Sequence, residues 1–325
     1  MRARSIKHCS MPLSDRYQTA RGTLGGPKIA IAVDLYDWHA RDLAAAFARA
    51  GATAVPIRLS QCGFDTQRPS GLIIPGFGAE LPDAVFVRAI GSGTFESVTL
   101  RLGVLHSLGA IGVPVVNSAR TIELCVDKAA TSFALARNSI PTPPTWTVQS
   151  EQAARQIVRR EAGRGPLVLK PLFGAQGFGL KLIRREDDLP AFDAVESVYY
   201  LQRFVAVERN GFHDIRLFVS HGKVIAAMTR HAQHWITNVK LGARPEWFEA
   251  DSEMIDLALR AAAAVKADFA GVDIIRDATN SPSVLEVNSM PGWRGLQKVA
   301  PFSIADQLAG DLLTRIGRPR AEAAG

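Results

Sequence analysis

The sequence predicts an α/β domain followed by α+β units. Three observations carry this. Near the start, an apolar run (PKIAIAVD, 27–34), a helix-patterned stretch (WHARDLAAAFARA, 38–50) and a second apolar run (52–59) make a β-α-β unit, the mark of a parallel sheet. Further on, short apolar runs pair across turn formers, as antiparallel hairpins do: 215–219 with 223–228 around Ser220-His221-Gly222, and 271–276 with 284–288 around Asp277 to Pro282. Between these regions a glycine-rich loop (GAQGFG, 174–179) joins strand to strand.

Each element has a local reason. Gly51 stops the Ala-rich first helix, because glycine ends helices readily. Ala84 to Val87 is a strand ending at Arg88, with Gly91 and Gly93 in the loop behind it. Phe95 to Leu108 is a helix and Val113 to Val116 a buried strand. No GxGxxG follows Ile29 to Val33, so this unit is not read as a dinucleotide site. Thr121 to Ala136 is helical, and Pro141, Pro143 and Pro144 then break the pattern at a linker or strand entry. Glu151 to Glu161 is a charged surface helix. One strand carries Lys170 into the glycine loop, and a second leaves it at Leu180 to Ile183. Val198 to Val205 is another strand. Asp251 to Ala267 is a long Ala-rich helix that leads into the last hairpin.

Composition narrows the function classes. At 325 residues and 47% hydrophobic, the chain can bury two or three cores. It has no uncharged apolar run of about 18 residues, so no membrane-spanning helix is expected. Residues 1–26 are basic and lack an apolar stretch, which reads as a poorly ordered arm and not a secretory signal. Cys9, Cys62 and Cys125 are too scattered for a disulfide framework, which points to a reducing, cytoplasmic setting. The net charge of +7 favours anionic partners. Because the basic residues are not gathered with aromatics, a nucleotide or acidic small molecule is expected, and nucleic acid is not.

The last hairpin carries the chemistry. Strand side chains alternate, so Glu286 and Asn288 share one face while Leu285 and Val287 take the other. If register brings Asp273 to the same face, three oxygen ligands converge, a set suited to Mg²⁺ with room for water and phosphate. A hairpin with one solvated face would carry the same residues. The glycine loop would let backbone N–H groups approach phosphate oxygens; a flexible hairpin would look alike. It lacks a GK[ST] ending and does not lead into a helix, so any phosphate role is that of a flap. His231 and His234 have a spacing that suits a metal only on a helix, yet they follow a strand. Trp235, Trp247 and Trp293 could stack on a ligand's ring, but aromatic residues are more often core.

The order of these pieces is distinctive. Asp127-Lys128 opens a helix; Lys170 precedes the glycine loop; then come Gln202-Arg203-Phe204-Val205, Asp214-Ile215-Arg216, Asn238, Asp273 and Glu286-Val287-Asn288 with Pro291-Gly292. The phrases VVNSARTIELCVDK, LVLKPLFGAQGFG, HDIRLFV, AGVDIIR and LEVNSMPGWRG resemble, segment by segment, the RimK-like amino-acid ligases of the ATP-grasp superfamily. VRAIGSG and the helix after it are most similar to the branch that adds glutamate to pterin cofactors such as tetrahydromethanopterin. The resemblance implies an ATP-grasp fold. A preATP-grasp α/β domain (27–118) would precede two α+β subdomains that grip ATP, one with the flap (119–200) and one with the metal site (201–325).

It also implies roles. Lys128 and Lys170 would contact phosphates, with Lys170 and Arg230 acting in the chemical step. Gly174, Gln176, Gly177 and Gly179 would close over the phosphates. Gln202, Arg203 and Phe204 would form the adenine linker, and Asp214 and Asn238 would contact the nucleotide. Asp273, Glu286 and Asn288 would hold two Mg²⁺ ions, for which Mn²⁺ could substitute. Arg88, Arg216, Gly292 and Arg294 would bind substrate, with Gly91, Glu96 and Arg101 as further acceptor candidates. Two departures stand out: the family's Arg-Ser-Asn reads Ile236-Thr237-Asn238 here, leaving Lys240 as a candidate substitute, and the stretch from Gln202 to Asp214 is longer than expected. The implied activity is carboxylate–amine ligation through an acylphosphate, releasing ADP and phosphate and joining glutamate to an acidic small molecule. A homo-oligomer is implied too. Peptide tailoring and a catalytically silent nucleotide-binding regulator stand as alternatives.

Overall fold

The computed structural model describes residues 26–174, 177–206 and 211–317. The expected arm up to residue 25, with Cys9, and Gln176 lie outside the described residues. Strands β1 (Lys28–Ala32), β2 (Thr53–Ile57), β5 (Ala84–Val87) and β6 (Val115–Val116) form a parallel sheet in the order β2-β1-β5-β6. A two-stranded ribbon, β3 (Gly63–Phe64) with β4 (Leu72–Ile73), lies beside it. All of β5 is buried, as a parallel strand covered on both faces must be. Helices α1 (Trp38–Arg49) and α2 (Phe95–Ala110) complete this unit, capped by Asp37 and Thr94 side chains.

The next sheet is antiparallel, in the order β7-β10-β8-β9: β7 (Thr145–Val148), β8 (Leu167–Lys170), β9 (Lys181–Ile183) and β10 (Tyr199–Arg203). Helix α5 (Glu151–Glu161) packs Ala154, Ile157 and Val158 into its core. Before it, the single helix expected over 121–136 is two, α3 (Ala119–Val126) and α4 (Lys128–Arg137). The break falls at Asp127, whose carboxylate accepts the N–H groups of Ala129 and Ala130 at 2.8 and 3.0 Å. A residue capping a helix N-terminus holds an extended backbone and cannot also continue the helix before it. That break sets Lys128 at the first position of α4.

The third sheet runs β13-β12-β11-β14-β15. Its strands are β11 (Phe212–Ser220), β12 (Lys223–Ala232), β13 (Arg244–Trp247), β14 (Phe269–Arg276) and β15 (Pro282–Asn288). Helix α6 (Ser252–Ala264) buries Met254, Leu257, Ala258 and Ala261 on one face of it. After the short α7 (Arg294–Gln297), α8 (Ile304–Gly317) returns to the first unit and packs Ile304, Leu308 and Leu312 with Leu43 and Phe47 of α1. Neither β13 nor α8 was expected from local pattern. Among the described residues, no helix is long and apolar enough to cross a membrane.

Asn117, fully buried after β6, staples the units together. Its amide donates to the carbonyls of Phe269 and Ser289 at 2.5 and 2.6 Å, and its oxygen accepts from the N–H groups of Asp268 and Phe269 at 2.7 and 3.0 Å. All four hydrogen-bonding positions of the amide are used. Asn117→Ala should therefore lose about 3 kcal/mol of stability, because buried backbone groups are left unpaired. Urea unfolding should show a lower midpoint at unchanged slope.

Candidate active site

A cavity of about 160 Å³ opens between the second and third sheets. Lys170 and Gln202 reach it from the second sheet, and Asp214, Arg216, Arg230, Asp273 and Glu286 from the third. Gly174, Gly177 and Phe178 of the glycine loop and the 235–238 segment close its sides.

Register builds the third-sheet wall. Asp214 lies opposite Arg230, Arg216 opposite Asp273, and Asp273 opposite Glu286. Alternation puts Asp214 and Arg216 on one face, so charges of opposite sign become neighbours. Arg216 grips Asp273 with two N–H groups at 2.5 and 2.6 Å, and Arg230 adds a third contact at 2.9 Å. Arg230 also binds Asp214 through both carboxylate oxygens, one at 2.6 Å, and Thr237 donates its hydroxyl to Asp214 at 2.6 Å. Asp214, Arg230 and Asp273 are each only 4% exposed. Burial alone would raise the Asp273 pKa, but Arg216 and Arg230 hold its carboxyl down to about 2. Burial works against the Arg230 cation too, yet Asp273 and Asp214 keep it above its ordinary value.

The opposite wall is cationic. Lys170 donates to Gln202 Oε1 at 2.7 Å. Gln202 donates in turn to Thr145 and Tyr200 at 3.2 and 3.3 Å, and the Tyr200 hydroxyl meets Ser132 at 2.8 Å. Lys128 donates to Gly174 O at 2.7 Å, tying α4 to the start of the flap. Burial pushes both ammonium groups below the ordinary lysine value, while the Glu286 carboxylate opposes that shift.

The remaining candidates fall in three places. Phe204 lines the cavity with Trp235, their rings edge to face at 6.0 Å. Arg203 also lines it, but its guanidinium turns away to Glu161 at 2.5 Å and Gly165 O at 2.7 Å. Asn238 lines the wall while its side-chain oxygen caps a local turn through the Lys240 N–H at 2.8 Å. Ile236, in the place where the resemblance calls for arginine, sits under the flap: a Cβ on Gly177 would come within 2.8 Å of it. Gly177 and Gly179 have φ of +77° and +74°, a conformation that glycine adopts without strain. Gly179 does not line the cavity. Nor does Asn288, which lies opposite Gly271 and donates to Glu286 Oε1 at 2.9 Å.

Arg88, Gly292 and Arg294 stand apart from this cavity, where the first unit meets the turn after β15. Arg88 donates to Pro291 O at 2.7 Å, and its Nε is buried without a partner among the described residues. Trp293 is fully buried, while Trp247 is partly buried against the same core. Arg101 braces the Gly91 loop through Ile90 O and Ser92 O at 3.0 and 2.9 Å; Glu96 lies exposed in the first turn of α2.

Asp273, Glu286 and Asn288 supply two carboxylates and an amide from one hairpin. Oxygen donors without a soft ligand fit a hard divalent cation such as Mg²⁺. Among the described residues no group of three or more His, Cys, Asp or Glu is placed to hold a metal, so Asn288 would have to complete the set.

The sequence pattern of the RimK-like ATP-grasp domain matches residues 125–312. The chain belongs to the RimK-like ATP-grasp family. A tetrahydromethanopterin:alpha-L-glutamate ligase of Methanocaldococcus jannaschii is 37% identical over 235 residues, 70% of this chain and 77% of that protein. A ligase of the same name from Methanosarcina acetivorans is 33% identical over 309 residues, 83% of this chain and 93% of that one. Among solved structures, the RimK domain ATP-grasp protein of Sphaerobacter thermophilus gives a TM-score of 0.65 at 25% identity, covering 87% of this chain and 98% of that one. The ATP-grasp ligase PsnB, complexed with minimal precursor, Mg and ADP, gives 0.68 at 21% identity, covering 89% and 98%. This RimK-like chain is an ADP-forming ligase with the ATP-grasp fold.

Several supporting residues of the RimK-like site were not singled out from sequence: Thr237 beneath Asp214, and Tyr200, Thr145 and Ser132 behind Lys170. The i, i+2 spacing of Tyr200 and Gln202 on one strand face is the signal that could have found the first link. Arg216, expected at substrate, is engaged with Asp273.

Removing one member of the buried ion network should be severe. Arg230→Met leaves Asp214 and Asp273 short of a partner and should cost about 3–5 kcal/mol. In the native protein the Asp273 contribution is complete above the ordinary carboxylate value of about 4 and is lost as pH falls through about 2. Without Arg230 the folded carboxyl titrates higher, so acid unfolding followed by circular dichroism should begin at a higher pH.

Proposed function

We propose that this ligase joins glutamate to a carboxylate of an acidic, pterin-type small molecule, using ATP and Mg²⁺. One observation carries the reading: Lys128 and Lys170 face Asp273 and Glu286 across a single cavity, a charge pattern suited to a metal-bound triphosphate. The names of the relatives supply glutamate and the pterin class. PsnB carries Mg and ADP on the same fold, and the donor set here fits that ion.

The residues then divide the work. The triphosphate lies between the lysines and the hairpin, with the adenine against Phe204 and the 202–204 backbone. Asp273, Glu286 and Asn288 hold the metal, which when bound supplies positive charge to the phosphate oxygens. Lys128, Lys170 and Arg230 neutralise the charge that gathers as the γ-phosphoryl group moves. Gln202 keeps the Lys170 ammonium aimed into the cavity. The acceptor's carboxylate oxygen attacks the γ-phosphorus and ADP leaves, forming an acylphosphate. The glutamate amine attacks the acyl carbon, the bond to phosphate breaks, and the nitrogen sheds its proton. The flap at 174–179 excludes water that would hydrolyse the acylphosphate. Arg88, Gly292 and Arg294 hold the substrate carboxylates.

Glu286→Ala should keep the circular dichroism of the parent and abolish ADP release at saturating Mg²⁺. Parental turnover in that variant would remove Glu286 from the metal site. With the parent protein, glutamate and a carboxylate-tailed pterin, the products should be ADP, phosphate and an acceptor heavier by one glutamyl residue. Release of AMP and pyrophosphate would assign a different ligase chemistry.

A further inference from the structure

The turn from Pro291 to Arg294 follows the hairpin strand β15 directly, and the first unit grips it through three side chains. Arg88 donates to Pro291 O at 2.7 Å. Asp42 accepts the Trp293 indole N–H at 2.9 Å. His39 Nε2 accepts the backbone N–H of Arg294 at 3.2 Å. The Trp293 ring is held between the Arg88 guanidinium, 4.6 Å from its centre, and the His39 ring, edge-on at 4.9 Å. Gly292 leaves little room, since a Cβ there would lie 3.2 Å from His39 Nε2.

These bonds fix the state of the imidazole. A backbone N–H can only donate, so Nε2 carries no proton. Nδ1 is then the N–H, and it donates to Asp37 Oδ2 at 3.0 Å. The other Asp37 oxygen caps α1 through the Ala40 N–H at 3.0 Å, so the ring is anchored to the helix start.

We propose that His39 is a positioning residue of the ligase: neutral, it holds Arg294 and the turn in place, and on protonation it releases them. That the turn binds a substrate carboxylate rests on the function proposed above; the hold of His39 on the turn does not. Gaining a proton at Nε2 would set two N–H groups against each other and forfeit the hydrogen bond. The charges facing the ring come from every side. Asp37 at the cap of α1 and Asp42 within it favour protonation, whereas Arg88 just after β5 opposes it; the Arg294 guanidinium lies over the adjoining Trp38 ring at 5.9 Å. Burial is the largest influence, and it lowers the His39 pKa below its ordinary 6.5. A lowered value means that the grip is complete above about 6.5 and is lost as pH falls through the folded value.

The test compares the parent with His39→Gln, whose amide oxygen can accept from Arg294 without titrating, and His39→Phe, which keeps a ring without an acceptor. The first readout is the Trp293 indole resonance from about pH 8 to about 5. It should move with a midpoint below 6.5 in the parent and stay flat in His39→Gln. The second readout is calorimetric binding of L-glutamate in the presence of MgATP. Its dissociation constant should rise about three- to tenfold toward low pH in the parent, hold level in His39→Gln, and be raised throughout in His39→Phe, the scale of one hydrogen bond. A flat indole resonance in the parent, or a His39→Gln variant that titrates like it, overturns the assignment. If the indole titrates as described while glutamate binds at no pH, His39 holds the turn and the substrate role of the turn falls instead.

Discussion

Four charged side chains on three adjacent strands set the geometry of the cavity. Asp214, Arg216, Arg230 and Asp273 mix both signs across β12, β11 and β14, and all four are locked by bonds of 2.9 Å or less. Burying such a set brings little net stability, because desolvation consumes most of the attraction. What it brings is rigidity: no member can swing away without stranding a buried partner. Asp273 is thereby held opposite Glu286, and both carboxylates line the cavity.

The facing wall follows the same logic with neutral groups. Lys170 is half-buried and held by Gln202, which is itself fixed by Thr145 and Tyr200. Between the two walls, Lys128, Lys170, Arg216 and Arg230 outnumber Asp214, Asp273 and Glu286 as lining charges, which suits a polyanion. The flap needs freedom to cover that ligand, and it has glycine where the backbone turns left-handed. Ile236 supplies an apolar seat beneath it where the resemblance calls for a cation.

The first unit and the end of the chain fold around a common core. Trp293, Leu296 and the buried face of α8 share one core with Ile29, Leu43 and Phe47 at the start of the chain. Asn117 bridges the same junction with four hydrogen bonds. The turn after β15 is consequently held by the first unit as much as by its own strand, which is how a residue as distant as His39 comes to contact Arg294.

Local pattern made much of this legible. Alternation puts Glu286 and Asn288 on one face of their strand, turn formers mark both hairpins, and the β-α-β start announces a parallel sheet. The order of short motifs pointed to the family. Local pattern could not say that Asp127 would end one helix and begin another, that Arg216 would spend its guanidinium on Asp273, or that Arg203 would turn to Glu161. By itself, then, the sequence determined most element types and the family, because periodicity and motif order are short-range properties of the chain; a register shift beside Asp273 broke the expected alternation and brought Leu285 to the cavity next to Glu286. Only the tertiary structure decided which charges meet, what Lys170 leans on and which unit grips the Pro291–Arg294 turn. Those outcomes depend on strand register and sheet order between residues as far apart as His39 and Arg294, and no local spacing encodes them.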